Sequence, residues 1–219
     1  GSPFMGWLLT FLADHMPRDS ALFAKADGWP DDLGPSAASL PLRLAGGLHA
    51  LVLTGTAPPL AALYPPATPD AATLGAAVLD ALTTHEAFLL DWIDRPPQTN
   101  EVRRSAPLIA AAHLIAARHP LPVRLSELGA SGGLNLMFDR YALDTAAGSL
   151  GPKNAALRLT PDWTGPLPPP ADLTITDRRG VDLTPLNVRD PDAATRLFAY
   201  LWPDQPHRRA LTKSAIEAF

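Results

Sequence analysis

With 219 residues, no cysteine and a formal net charge of −4, the chain has room for one large domain or two small ones. It excludes a disulfide framework and thiolate metal sites. So mild an acidity leaves no electrostatic footprint for nucleic acid or an anionic membrane, and no apolar run is long enough to span a bilayer.

Gly1 to Phe4 read as an added tag before Met5. No secretory signal follows Met5, which makes the cytoplasm the expected location. The first half reads as helical. Trp7, Leu8, Phe11, Leu12 and His15 share one helical face, Ser20 precedes a short apolar stretch, and Leu40 to Leu53 is rich in Leu and Ala. From Asp70 to Asp94 the residues Leu74, Val78, Leu82, His85, Leu89 and Trp92 form one stripe of helical period, predicting a single helix with His85 in its packed face. Pro96-Pro97 ends it. The 25 prolines, many of them paired, act as punctuation between helices. Thr99 or Asn100 is then expected to cap a helix running to about Arg118, with Glu101 in its first turn. His113 lies in this Ala-rich helix and reads as a packed histidine. His85-Glu86 does not begin a zinc helix, because the second histidine is missing at Leu89. No metal site is expected.

After the linker His119-Pro120-Leu121-Pro122 the pattern changes. Val123 to Leu128 predicts a buried strand, Leu134 to Tyr141 a helix, Leu157 to Thr160 and Leu173 to Thr176 two further strands. Asp190 or Pro191 opens a helix through Trp202, and Pro206 opens a last one reaching Phe219. The order predicts an α/β chain: an all-helical N-terminal region over 5–118, then a partial Rossmann-like, methyltransferase-like region over 119–219. Only two or three strands are visible, and the chain stops inside a helical pattern, so a further C-terminal part is expected.

The most informative stretch is Val123 to Asn135, V-R-L-S-E-L-G-A-S-G-G-L-N, a strand leading through a glycine-rich turn into a helix. Read from Glu127, it is E-x-G-x-S-x-G, a turn suited to S-adenosylmethionine. Glu127 would meet the ligand's ammonium group, and Gly129, Ser131, Gly133 and Asn135 would line the turn. Asp177 or Asp182 would hold the ribose. A dinucleotide is disfavoured, because a carboxylate there repels pyrophosphate and the G-x-G-x-x-G spacing is absent. Read from Gly129, it is G-x-S-x-G, a nucleophile elbow with Ser131 as nucleophile and His207 as the only downstream histidine. Here Glu127 would sit unfavourably close to a developing oxyanion. A third reading is a structural turn in a non-catalytic or partner-binding scaffold. Asn100 and Glu101 are candidate substrate-binding residues, with a helix cap as their plainer role.

Glu127 to Leu136, followed by Asp139-Arg140-Tyr141, resembles the hallmark of an uncharacterised bacterial group, domain-of-unknown-function family 2332. Three more segments are similar to that family: Thr99-Asn100-Glu101-Val102 through Arg104, Arg179-Gly180-Val181-Asp182-Leu183-Thr184-Pro185-Leu186, and Tyr200-Leu201-Trp202-Pro203-Asp204-Gln205. The resemblance runs along the whole chain. It implies relatives that continue with another strand, carries no activity, and supports a methyltransferase-like turn only through likeness of fold.

Overall fold

The computed structural model describes residues 1–218. These form two compact units, one of Gly1–Thr99 with Thr195–Pro206, the other of Asn100–Ala194 with the chain from His207 onward. The first unit ends at Thr99, and the short return segment Thr195–Pro206 joins it.

The first unit is helical. Its helices are α1 (Pro3–His15), α2 (Ala21–Asp27), α3 (Leu40–Leu53), α4 (Pro58–Ala61), α5 (Ala71–Thr84) and α6 (Glu86–Asp94). Pro3 and Phe4 belong to α1, and Ser2 caps it. The Ser2 hydroxyl accepts from the Met5 amide at 3.0 Å, and Pro3 occupies the first turn, where its missing N–H goes unused. Ser20 and Asp70 cap α2 and α5 in the same way. Leu8, Leu48, Leu51, Val78, Leu89 and Ile93 are fully enclosed in the core.

The single helix expected over Asp70 to Asp94 is two. The chain breaks at His85, which ends α5 and starts α6. The Thr83 hydroxyl bonds back to the Leu79 carbonyl at 3.0 Å, a contact that bends helices. His85 is half-buried at the break instead of lying in the packed face. An apolar stripe marks which side is buried; it does not register a change of axis.

Two polar groups sit inside this core. Arg43 donates from Nε to the Ala38 carbonyl at 2.6 Å and from Nη1 to the Ile93 carbonyl at 2.8 Å. His49 Nδ1 lies 3.1 Å from the Ala199 carbonyl. Gly46 faces Tyr200 so closely that an added Cβ would stand 2.5 Å from the ring. Gly46→Ala is expected to destabilise the unit by about 1–3 kcal/mol through overpacking, outweighing the ~1 kcal/mol that alanine gains in a helix. A lower midpoint in urea unfolding checks this; an unchanged or higher midpoint rejects it.

The second unit contains a 3-10 turn (Val102–Arg104), α7 (Ser105–Arg118), β1 (Val123–Leu128), a 3-10 helix (Leu134–Arg140), β2 (Tyr141–Thr145), β3 (Gly148–Leu150), β4 (Leu157–Leu159) and β5 (Ile175–Val181). Next come α8 (Pro191–Ala199), which crosses into the first unit at Thr195, and α9 (Pro206–Glu217). β1 and β5 pair in parallel, with Arg124 opposite Asp177 and Leu128 opposite Val181. β2 pairs antiparallel with β3 and parallel with β4. The described residues thus form a mixed helical and sheet structure with one small parallel sheet and one small mixed sheet. Tyr141 anchors the interior, fully buried, donating its hydroxyl to the Leu134 carbonyl at 2.7 Å.

Three local expectations shift. The strand expected at Leu173 to Thr176 runs instead over Ile175–Val181, pulled onward by its pairing with β1. The segment Leu134–Arg140 is a 3-10 helix, and the β2–β3 hairpin that follows was not foreseen. The helix after Asn100 begins only at Ser105, because the Asn100 side chain is used elsewhere.

Candidate functional site

β1 delivers the chain to the glycine-rich turn, where Gly129, Ser131 and Gly133 all have positive φ, 71°, 51° and 73°. Glycine takes this conformation without cost; for Ser131 it is strained. Ser131 is nevertheless buried, and the surroundings hold it. The Ser131 amide donates to an Asp182 carboxylate oxygen at 2.8 Å, and the other Asp182 oxygen accepts from the Thr184 amide at 2.9 Å. The Gly129 and Ala130 amides donate to the Val181 carbonyl at 2.9 and 3.1 Å, and the Leu186 amide donates to the Ser131 carbonyl at 3.1 Å. Gly180 lets β5 come this close, since a Cβ there would lie 2.6 Å from that of Ala130.

The other side of the turn is braced by the segment before α7. The buried Asn100 side chain accepts from the Leu134 amide at 2.8 Å. The Ser105 hydroxyl donates to Asn135 Oδ1 at 2.8 Å, also buried. Three segments distant in sequence, around Asn100, Glu127 and Asp182, therefore meet at one turn. Asn100→Leu would leave the Leu134 amide buried without an acceptor, a cost of about 1–3 kcal/mol. Hydrogen exchange at Leu134 is expected to quicken correspondingly, while Asn100→Asp keeps an acceptor; equal exchange in the leucine variant would contradict the bond.

Glu127 lies beside the turn, opposite Gly180 in the register. It is half-buried, and its Oε2 is fully enclosed with no hydrogen-bond partner among the described residues. Burial pushes its carboxyl above the usual carboxylate range, and the charge of Arg104 partly opposes this. Glu101 behaves oppositely. Burial raises it, but the hydrogen bond from Arg103 and the charge of Arg208 outweigh this and hold it below the usual range. Its carboxylate meets Arg103 Nε at 3.0 Å and Arg208 Nη2 at 2.5 Å.

Of the candidate residues, Asn100, Glu127, Gly129, Ser131, Gly133, Asn135 and Asp182 gather at the turn. Asp177 does not. It sits near the start of β5, in ion pairs with Arg124 at 3.1 Å and Arg179 at 2.9 Å, four register steps, roughly 13 Å, from the strand end. Asp182, at the end of β5, spends an oxygen on each of two backbone amides. Ser131 lines a concavity of about 190 Å³ over the turn, with Gly180, Asp182 and Leu186. His207 lines a different cleft, of about 920 Å³, together with Glu101, Arg103 and Arg104. Arg104 stood out in the sequence only as a charge in the family-like segment after Asn100-Glu101, and Ser105, which follows it, drew no notice.

The fold and this turn define a mixed α/β protein whose parallel strand ends in a glycine turn clamped by two distant segments. The chain belongs to the family described as uncharacterized protein conserved in bacteria, DUF2332, which it matches over residues 1–219. No curated protein and no solved structure matches it. Among the described residues no helix is long and apolar enough to cross a membrane.

Proposed function

We propose that the second unit is Rossmann-like in plan and binds S-adenosylmethionine, as a methyltransferase-like protein, with Glu127 as the group that receives the ligand's ammonium. The observation that carries this reading is the enclosed Oε2 of Glu127, which lacks a partner at the carboxyl end of a parallel strand. An unpartnered buried acceptor costs free energy that a cationic donor returns, and the carboxyl end of a parallel strand is where such folds place ligands. The turn's amides are mostly engaged within the chain, so recognition rests on this side chain, with the positive-φ residues allowing close approach. When bound, the sulfonium supplies an activated methyl group. The chain then has only to hold the acceptor in line with it, which requires no general base. Asn100 braces the turn from behind, and Glu101, fixed by Arg103 and Arg208, belongs to the neighbouring acceptor side.

Calorimetry and thermal shift with S-adenosylmethionine and S-adenosylhomocysteine test this. A ligand at a hundredfold excess over its Kd is expected to stabilise the protein by about 2.7 kcal/mol; no heat and no shift at ~1 mM would reject the reading. Ser131 has the left-handed backbone that an elbow uses, which favours the hydrolase as a second reading. It expects Ser131 to react with a fluorophosphonate probe, and the cofactor reading expects no labelling.

A further inference from the structure

The cleft beside Glu101 is formed by the start of α7, the edge strand β4 and α9. Its volume of about 920 Å³ lies within the ~300–1,000 Å³ usual for small-molecule sites. Ala106, Pro107 and Leu211 contribute an apolar wall, and its charged lining holds Arg103, Arg104 and Arg158 against Glu101 and Asp162.

These three arginines are not equivalent. Arg103 is paired with Glu101 at 3.0 Å, and Arg158 with Asp144 at 2.6 Å. Arg104 is exposed, and its side chain makes no hydrogen bond or ion pair among the described residues; it senses Glu127 only through its field. The cleft thus presents one uncommitted guanidinium, a planar fork matched to carboxylate and phosphate, and the exposed imidazole of His207 lies in the same lining.

We infer that this cleft binds a small organic anion, a carboxylate or phosphate monoester on an apolar body. The anionic group sits on Arg104 and His207, and the body lies against Ala106, Pro107 and Leu211. A neutral ligand leaves the guanidinium without its match, and a cation meets three arginines against two carboxylates. The site goes beyond the cofactor reading and stands without it. If both hold, it is the place for an acidic methyl acceptor.

The test uses the whole chain at low salt, titrated with 4-phenylbutyrate, phenyl phosphate and the neutral 4-phenylbutanol. Both anions are expected to bind at least about tenfold more tightly than the alcohol, as one charge-assisted contact of about 1.5–3 kcal/mol requires. The tighter of the two assigns the head group. Arg104→Ala, with an unchanged circular dichroism spectrum, removes the advantage, Arg104→Lys keeps part of it, and His207→Ala weakens it. Glu127→Gln removes a competing carboxylate and strengthens anion binding, while weakening S-adenosylmethionine, so the two proposals fail separately. Equal binding of alcohol and anions, an advantage that survives Arg104→Ala, or no binding at ~10 mM overturns the site. Inorganic phosphate binding as tightly as phenyl phosphate overturns the apolar part.

Discussion

Glu127→Gln is expected to weaken S-adenosylmethionine binding about 30-fold or more, the effect of removing one member of an enclosed charge pair, about 2 kcal/mol or more. The unliganded protein should respond in the opposite sense. Burial raises the Glu127 carboxyl, so the fold favours its protonated form. The stability this contributes is complete below the ordinary value of 4.5, and it is lost as pH rises through the raised value. Above the raised value glutamine therefore replaces an ill-placed charge and leaves stability equal or higher. Binding shows the reverse pH dependence: an ammonium requires the ionised carboxylate, so affinity falls as pH drops through the raised value, and binding there releases protons. Calorimetry in buffers of different ionisation enthalpy measures that release. A glutamine variant that binds as tightly as the parent, with no proton release in either protein, would remove Glu127 from recognition.

Gly151→Ala is expected to cost the second unit about 3–5 kcal/mol, from backbone strain and overpacking together. Gly151 has φ of 96°, and a Cβ there would lie 2.3 Å from the Tyr141 carbonyl oxygen. Backbone cannot step aside as a flexible side chain does. Tyr141 also holds the 3-10 helix after the turn through its hydroxyl, so the damage reaches the candidate site. Trp163, the sole tryptophan of that unit, reports its unfolding in urea; a parental midpoint would show that the hairpin does not approach Tyr141 so closely.

Some of this molecule is legible in one dimension. The helix over Leu40–Leu53 and the strand over Val123–Leu128 fall where periodicity and flanking prolines put them. That strand is half-buried and exposed in alternation, where the sequence predicts a buried one, because it pairs only with β5 among the described residues. Gly129 and Gly133 were readable as turn glycines because positive φ is a local demand. β5 was harder to place. Its run Asp177-Arg178-Arg179-Gly180 has poor strand propensity, and it becomes a strand by pairing with β1, while Arg178 is held by the Leu136 carbonyl at 3.1 Å and by Asp139. Helix capping misled for a similar reason. Asn100 has the right chemistry to cap the helix ahead of it, yet its acceptor serves an amide 34 positions away.

The same division applies to the site. The sequence by itself determined the strand, the glycine turn, the carboxylate beside it and the family to which they belong, because each is written in residue types at short spacing. Only the tertiary structure decided how the candidates are shared out. Asp182 went to the Ser131 and Thr184 amides, Asp177 to surface arginines, His207 to a cleft apart from Ser131, and Arg104 to the field of Glu127. Partner choice among chemically equivalent groups depends on long-range packing, and short spacing carries no information about it.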